Sequence, residues 1–181
     1  MNKDIKSILI DEAHINTMVK AMGESITKDY KNAKKPPLLV CILKGSVVFY
    51  ADLIRHIDLP IEVEFMKVSS YGAGTTSAAI ELHLDLAHRD YTDLDIIVVE
   101  DIIDSGKTLA LLTDLLKSRG ANSVEICTLL NKPSRRVVDV KVAYCGTEIP
   151  DEFVVGYGLD YAEQYRNLPY IGILKPEIYS E

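Results

Sequence analysis

The chain is short of everything that would staple, anchor or punctuate it. It has three cysteines in 181 residues, Cys41, Cys127 and Cys145, with no CxxC pair. All three lie in or beside apolar runs, which excludes a disulfide framework or a cysteine zinc site and fits a reduced, cytoplasmic setting. His14, His56, His83 and His88 show no metal-ligand spacing. No apolar run is long enough to cross a bilayer, and "MNKDIKSILIDEAHI" is too poor in apolar residues for a secretory leader. Positive charge is also missing: the net charge is −7. That balance argues against nucleic acid or an anionic membrane as partner, while leaving room for a local basic pocket. No Pro/Gly/Ser linker, repeat or low-complexity stretch divides the chain, so one domain over residues 1–181 is expected.

What remains alternates between two periods. "DEAHINTMVKAMGESITKDYKN" (11–32) reads as a helix with Asp11 as N-cap and Ile15, Met18, Val19 and Met22 on one face. "LLVCI" (38–42) is wholly apolar, as a strand buried on both faces of a parallel sheet must be. A helix over 46–57, a strand over 61–68 and a polar loop "SSYGAGTTS" (69–77) follow. "AAIELHLDL" alternates as a strand, 93–100 is another apolar strand, and "KTLALLTDLLKSRG" (107–120) is a helix with Gly120 as its C′ residue. "SVEICTLL" (123–130), "VAYC" and "FVVGY" supply later strands. The alternation predicts an α/β domain around a mostly parallel sheet flanked by helices. Ligands in such sheets bind at the carboxyl ends of strands, here after Ile42, Val99 and Leu130.

The stretch "VVEDIIDSGKTL" (98–109) ends like a Walker loop. A Walker glycine should stand at position 101, which is Asp101, with Glu100 and Asp104 nearby. A carboxylate ~4 Å from a phosphate charge costs roughly 4 kcal/mol at an effective dielectric near 20. The polyphosphate reading therefore fails on charge and on spacing. Ser105, Gly106, Lys107 and Thr108 instead offer backbone N–H groups and two hydroxyls at a helix start, suited to one phosphate monoester. Glu100 and Asp101 are acceptors for vicinal hydroxyls or a hydroxyl-bound metal. A ribose 5-phosphate satisfies both halves.

"VVEDIIDSGKTL" resembles the phosphoribosyl-pyrophosphate motif of the type I phosphoribosyltransferases. With "LKGS", "SSYG", "NKPSRR" and "IPDEFVVGYGLDY" in order, nearly the whole chain resembles the hypoxanthine-guanine phosphoribosyltransferases. That resemblance implies the type I fold with a small hood over the base pocket. It implies purine salvage: hypoxanthine or guanine plus phosphoribosyl pyrophosphate gives IMP or GMP plus pyrophosphate, with Mg2+. It puts Glu100 and Asp101 on the ribose hydroxyls and magnesium, Asp160 as a further metal ligand, and Asp104 beside the purine as general base. Lys44 and Gly45 would meet pyrophosphate through a cis peptide before Lys44, with Arg166 assisting. Ser70 and Tyr71 would belong to a lid over the reaction centre, excluding water from a ribosyl cation. Lys132 would donate to the 6-oxo group, Phe153 would stack on the purine, and Val154 would read its edge through the backbone. A homodimer or homotetramer is implied as well.

Two other readings stay open at this point. A phosphoribosyl-pyrophosphate sensor that binds nucleic acid would need a basic face, which the net charge does little to support. A xanthine- or adenine-preferring transferase is nearer; Lys132 argues against adenine, and nothing ranks hypoxanthine, guanine and xanthine.

Overall fold

The structure is a computed structural model that describes residues 2–71, 79–87 and 90–180. Its elements follow the chain as β1 (Ile5–Ile10), α1 (Glu12–Tyr30), β2 (Leu38–Ile42), α2 (Val47–Ile54), β3 (Glu62–Tyr71) and β4 (Ala79–Leu84). Then come β5 (Asp95–Ile103), α3 (Lys107–Ser118), β6 (Ser123–Asn131), β7 (Tyr144–Glu148), β8 (Val154–Val155), β9 (Ile171–Leu174) and a short α4 (Pro176–Tyr179). The main sheet has the order β4-β3-β2-β5-β6-β7 and is parallel except for the antiparallel edge strand β4.

Strand periodicity divides the core into two layers. Leu39 and Cys41 of β2, Ile97 and Val99 of β5, and Cys127 and Leu129 of β6 pack with Ile15, Val19, Met22 and Ile26 of α1 and Phe49 and Leu53 of α2. The alternate residues Leu38, Val40, Ile42, Ile96, Val98, Val124 and Ile126 pack with Leu109, Leu112 and Leu116 of α3. Each such side chain contributes about 1.5–3 kcal/mol on burial, which is why β2 and the Ile96–Val99 part of β5 read as unbroken apolar runs. Asp11 caps α1 as expected, its carboxylate accepting from the His14 N–H at 2.8 Å.

A second, antiparallel sheet, β1-β9-β8, joins the two ends of the chain and forms the hood. Neither β1 nor β9 is evident as a strand from local pattern, because β1 and β9 pair with each other across nearly the whole chain, where periodicity carries no information. The strand expected over "FVVGY" is cut to Val154–Val155, because Gly156 (φ 100°), Tyr157 (φ 51°) and Gly158 (φ 103°) take left-handed conformations and turn the chain. The strand expected over "VAYC" begins later and runs to Glu148, in register with Cys127 to Asn131 of β6. Two strands run past their expected ends. β5 continues through Ile103 because β6 pairs with it as far as Ile103↔Asn131, so Glu100 and Asp101 sit within the strand. β3 continues through Tyr71, with Ser70↔Ile80 and Tyr71↔Ala79 as partners. The start of the expected lid is therefore strand backbone, while its residues 72–77 lie outside the described residues.

Candidate active site

The carboxyl ends of β2, β3 and β5 converge on a cavity of about 270 Å³. Ile42 and Leu43, Val68, Glu100, the run from Ile102 to Gly106, and Thr108 and Leu109 line it. Gly106 stands at φ 79° at the start of α3. A side chain there would come within 2.6 Å of the Val138 carbonyl, so only glycine allows this close approach. The Ser105 carbonyl accepts from the Val137 and Val138 N–H groups at 3.0 Å each. Arg136 Nε donates to the Asp104 carbonyl at 3.2 Å, and the Arg136 guanidinium also holds the Asn131 side chain. The segment after "NKPS" thus braces the loop before α3, a role invisible in local sequence because it depends on two loops meeting.

Glu100 lines the cavity, whereas Asp101 does not. The Asp101 carboxylate is nearly buried, accepts from the Ile102 N–H at 2.7 Å, and lies directly under Gly45. The two carboxyls are close enough to hydrogen-bond. Burial pushes Glu100 well above the usual carboxyl range, and the neighbouring Asp101 pushes it further. Burial raises Asp101 also, while the hydrogen bond from Glu100 opposes the rise. Two buried carboxyls this close disfavour carrying both negative charges, and a cation placed between them would offset that repulsion. Among the described residues no group of three or more His, Cys, Asp or Glu side chains is gathered as a ready-made metal cage. Carboxylate oxygens supplemented by water and substrate oxygens are nonetheless the ligand set that magnesium uses.

"LKGS" forms the tight turn after β2. The Leu43–Lys44 peptide is cis. Buried Ser46 donates its hydroxyl to the Ile42 carbonyl, and the Leu43 N–H donates to the Met66 carbonyl at 2.8 Å. The loop is layered between two others. A Cβ at Gly45 would fall 1.6 Å from Asp101 Oδ2, and a Cβ at Gly158 would fall 2.0 Å from the Gly45 carbonyl.

The turn carrying Gly158 also brings Arg166 and Asp160 to this place. Arg166 Nη1 donates to the Gly158 carbonyl at 2.7 Å, and Nη2 lies 2.9 Å from Asp160 Oδ1. Lys44 Nζ pairs with Glu163 Oε2 at 3.0 Å. The Lys44 hydrogen bond and charge hold Glu163 below the usual carboxyl range. Glu163 is the site residue that sequence reasoning missed; it lies three residues before Arg166 but meets Lys44 only through the fold.

Lys132 follows β6, its N–H donating to the Ile103 carbonyl at 2.9 Å. Its side chain is 8% exposed, and Nζ lies 3.8 Å from Asp104 Oδ1. Phe153 leads into β8 and is half-exposed; its ring stacks on Tyr179 at 4.7 Å and meets Tyr161 edge-on at 5.6 Å. Val154 is buried in the hood sheet opposite Ile173, so its side chain is packed and its backbone is what the expected purine edge would meet. Arg135 Nε binds Asp151 Oδ1 at 2.6 Å, tying the Lys132 loop to the segment that leads to Phe153. Expected base, ribose and diphosphate groups therefore lie on connected loops at one end of the sheet.

Residues 11–162 match the family model described as a phosphoribosyl transferase domain. A hypoxanthine-guanine phosphoribosyltransferase of Streptococcus thermophilus is 52% identical over 181 residues, covering 100% of this chain and 99% of that one. A protein of the same name from Staphylococcus epidermidis is 52% identical, with 100% of both chains covered. The crystal structure of a hypoxanthine phosphoribosyltransferase from Staphylococcus aureus superposes with a TM-score of 0.93 at 50% identity, covering 100% of this chain and 97% of that one.

Proposed function

The chain belongs to the phosphoribosyl transferase family, and on that premise we propose the chemistry of its site. It is a purine salvage transferase: hypoxanthine or guanine and phosphoribosyl pyrophosphate become IMP or GMP and pyrophosphate. The observation that carries the base class is the near-buried Lys132 ammonium beside Asp104 at the ends of β5 and β6. An ammonium offers only donors, so it favours a 6-oxo group over a 6-amino group.

The 5′-phosphate sits at the start of α3, on the backbone of Ser105 to Thr108, where the helix dipole favours an anion. Glu100, with Asp101 behind it, accepts from the ribose hydroxyls. Asp104 takes the proton that the purine nitrogen loses as it bonds to ribose carbon 1. Lys44, the Gly45 backbone and Arg166 hold the diphosphate as negative charge accumulates on it. Phe153 presents a ring face to the purine and Val154 a backbone edge. Ser70 and Tyr71 belong to the segment that screens the reaction centre from water.

The cofactor is Mg2+, and the hard oxygen donors Glu100, Asp101 and Asp160 are the residues that would hold it. When bound, it would offset negative charge on the diphosphate and polarise the ribose hydroxyls. The protein's own share is to hold the acids and Lys44 in place before substrate arrives.

A base panel of hypoxanthine, guanine, xanthine and adenine with phosphoribosyl pyrophosphate and magnesium tests this reading. Nucleotide should form with hypoxanthine and guanine and scarcely with adenine. Failure to form nucleotide with any oxopurine would overturn it.

A further inference from the structure

Glu163 Oε2 stands between two cations, 3.0 Å from Lys44 Nζ and 3.4 Å from Arg166 Nη2. Those cations come from distant parts of the chain, and one carboxylate oxygen spans both, presenting the kind of anionic oxygen that a diphosphate carries. The contact is built into the backbone. Ala162 (φ 50°) and Glu163 (φ 61°) both adopt the left-handed conformation that residues with a Cβ seldom take. The Glu163 N–H donates to Asp160 Oδ2 at 2.9 Å, and the turn closes through reciprocal backbone bonds between Tyr161 and Gln164. Arg166 is meanwhile only partly satisfied: its buried Nε has no hydrogen-bond partner among the described residues.

We propose that Glu163 is an internal anion of the diphosphate subsite, holding Lys44 and Arg166 in position when the subsite is empty and competing with diphosphate for them. This rests on the assignment of Lys44 and Arg166 to diphosphate. The incoming diphosphate displaces the carboxylate from both cations, and the carboxylate returns as pyrophosphate leaves. The arrangement keeps two like charges from drifting apart between turnovers, at the expense of diphosphate affinity. A merely structural glutamate would do the reverse, since its loss would loosen the site.

Calorimetric titration of magnesium pyrophosphate into the wild type, Glu163→Gln and Glu163→Ala tests the proposal by sign. Exposed pairs of this kind are weak, so both variants should bind pyrophosphate only roughly two- to fivefold more tightly. The KM for phosphoribosyl pyrophosphate should fall in step, and raising the salt should shrink the difference. Unchanged or weaker pyrophosphate binding in either variant overturns the proposal. Lys44→Met and Arg166→Lys separate this from its premise. If these two weaken pyrophosphate binding while the Glu163 variants leave it unaltered, only the role of Glu163 is wrong. If pyrophosphate ignores Lys44 and Arg166 as well, the subsite assignment itself falls.

Discussion

Lys132 Nζ lies 3.8 Å from Asp104 Oδ1, a nearly buried ammonium facing an exposed carboxylate across the ends of β6 and β5. The carboxylate partly offsets the cost of burying the ammonium, and the ammonium keeps a charge beside the proposed base. On the proposed assignment, one pair couples recognition of the purine oxygen to removal of the purine proton.

Replacing the ammonium should therefore change selectivity. Hydrogen bonds to charged groups are worth about 1.5–3 kcal/mol, so Lys132→Ala should lower kcat/KM for hypoxanthine and guanine roughly 10- to 100-fold. The weak activity with adenine should change much less, because adenine has no 6-oxo group to lose. Steady-state kinetics on the three bases decides the matter. Equal losses would mean that Lys132 only supports its loop.

Asp104→Asn keeps the shape of the side chain and removes its capacity to take a proton. General-base catalysis supplies about 10²–10⁴-fold, and kcat should fall within that range. IMP affinity, measured by calorimetry, should stay within a few-fold of the wild type. Near-normal turnover would remove Asp104 from the mechanism.

Much of this site is legible before any coordinates. "LLVCI" and "IIVV" are apolar throughout because they lie between two helical layers, and that pattern marks their carboxyl ends as the place to look. The acids and glycine of "EDIIDSGKT" then identify the phosphate end. Long-range juxtaposition was not legible. The sheet β1-β9-β8 pairs residues such as Ile5 and Leu174, and the contact of Lys44 with Glu163 spans 119 positions. Asp101 sits under Gly45 rather than on the cavity wall for the same reason: which way a strand-end acid turns depends on the loop packed over it.

The end of β4 is tied to the end of α3 by a bidentate pair, Arg119 Nη1 to Asp85 Oδ1 at 2.6 Å and Nη2 to Oδ2 at 2.5 Å. The hydrogen bonds from Arg119 hold the Asp85 carboxyl below its ordinary value of 3.8. A depressed folded value means that the stabilisation is present above the unfolded value and is lost as pH falls through the folded one. Both groups are partly exposed, so solvent screening limits the pair to about 0.5–1 kcal/mol. Asp85→Asn should be destabilised by that amount at pH 7, and the difference should vanish as the pH falls below 3.8. Urea melts of both proteins across that range test the sign; a gap that widened in acid would contradict it.

Gly45 offers the sharpest test of how the site is layered. An added methyl would lie 1.6 Å from Asp101 Oδ2 and 2.7 Å from its Cγ. Asp101 has little freedom to yield, being nearly buried and bound to the Ile102 N–H. Gly158 closes the other side, where a Cβ would meet the Gly45 carbonyl at 2.0 Å. Gly45→Ala must therefore lift the Lys44 loop or turn Asp101 aside, at a cost of about 1–3 kcal/mol typical of overpacking. Either movement strikes the diphosphate end of the site, so the KM for phosphoribosyl pyrophosphate should rise several-fold more than the KM for hypoxanthine. Gly120→Ala is the control: its φ of 98° strains an alanine, but nothing lies within 4 Å of the new methyl. That variant should lose stability without changing either KM. If Gly45→Ala also lost stability alone, with both KM values intact, the loop would be tolerant packing rather than the floor of the diphosphate site.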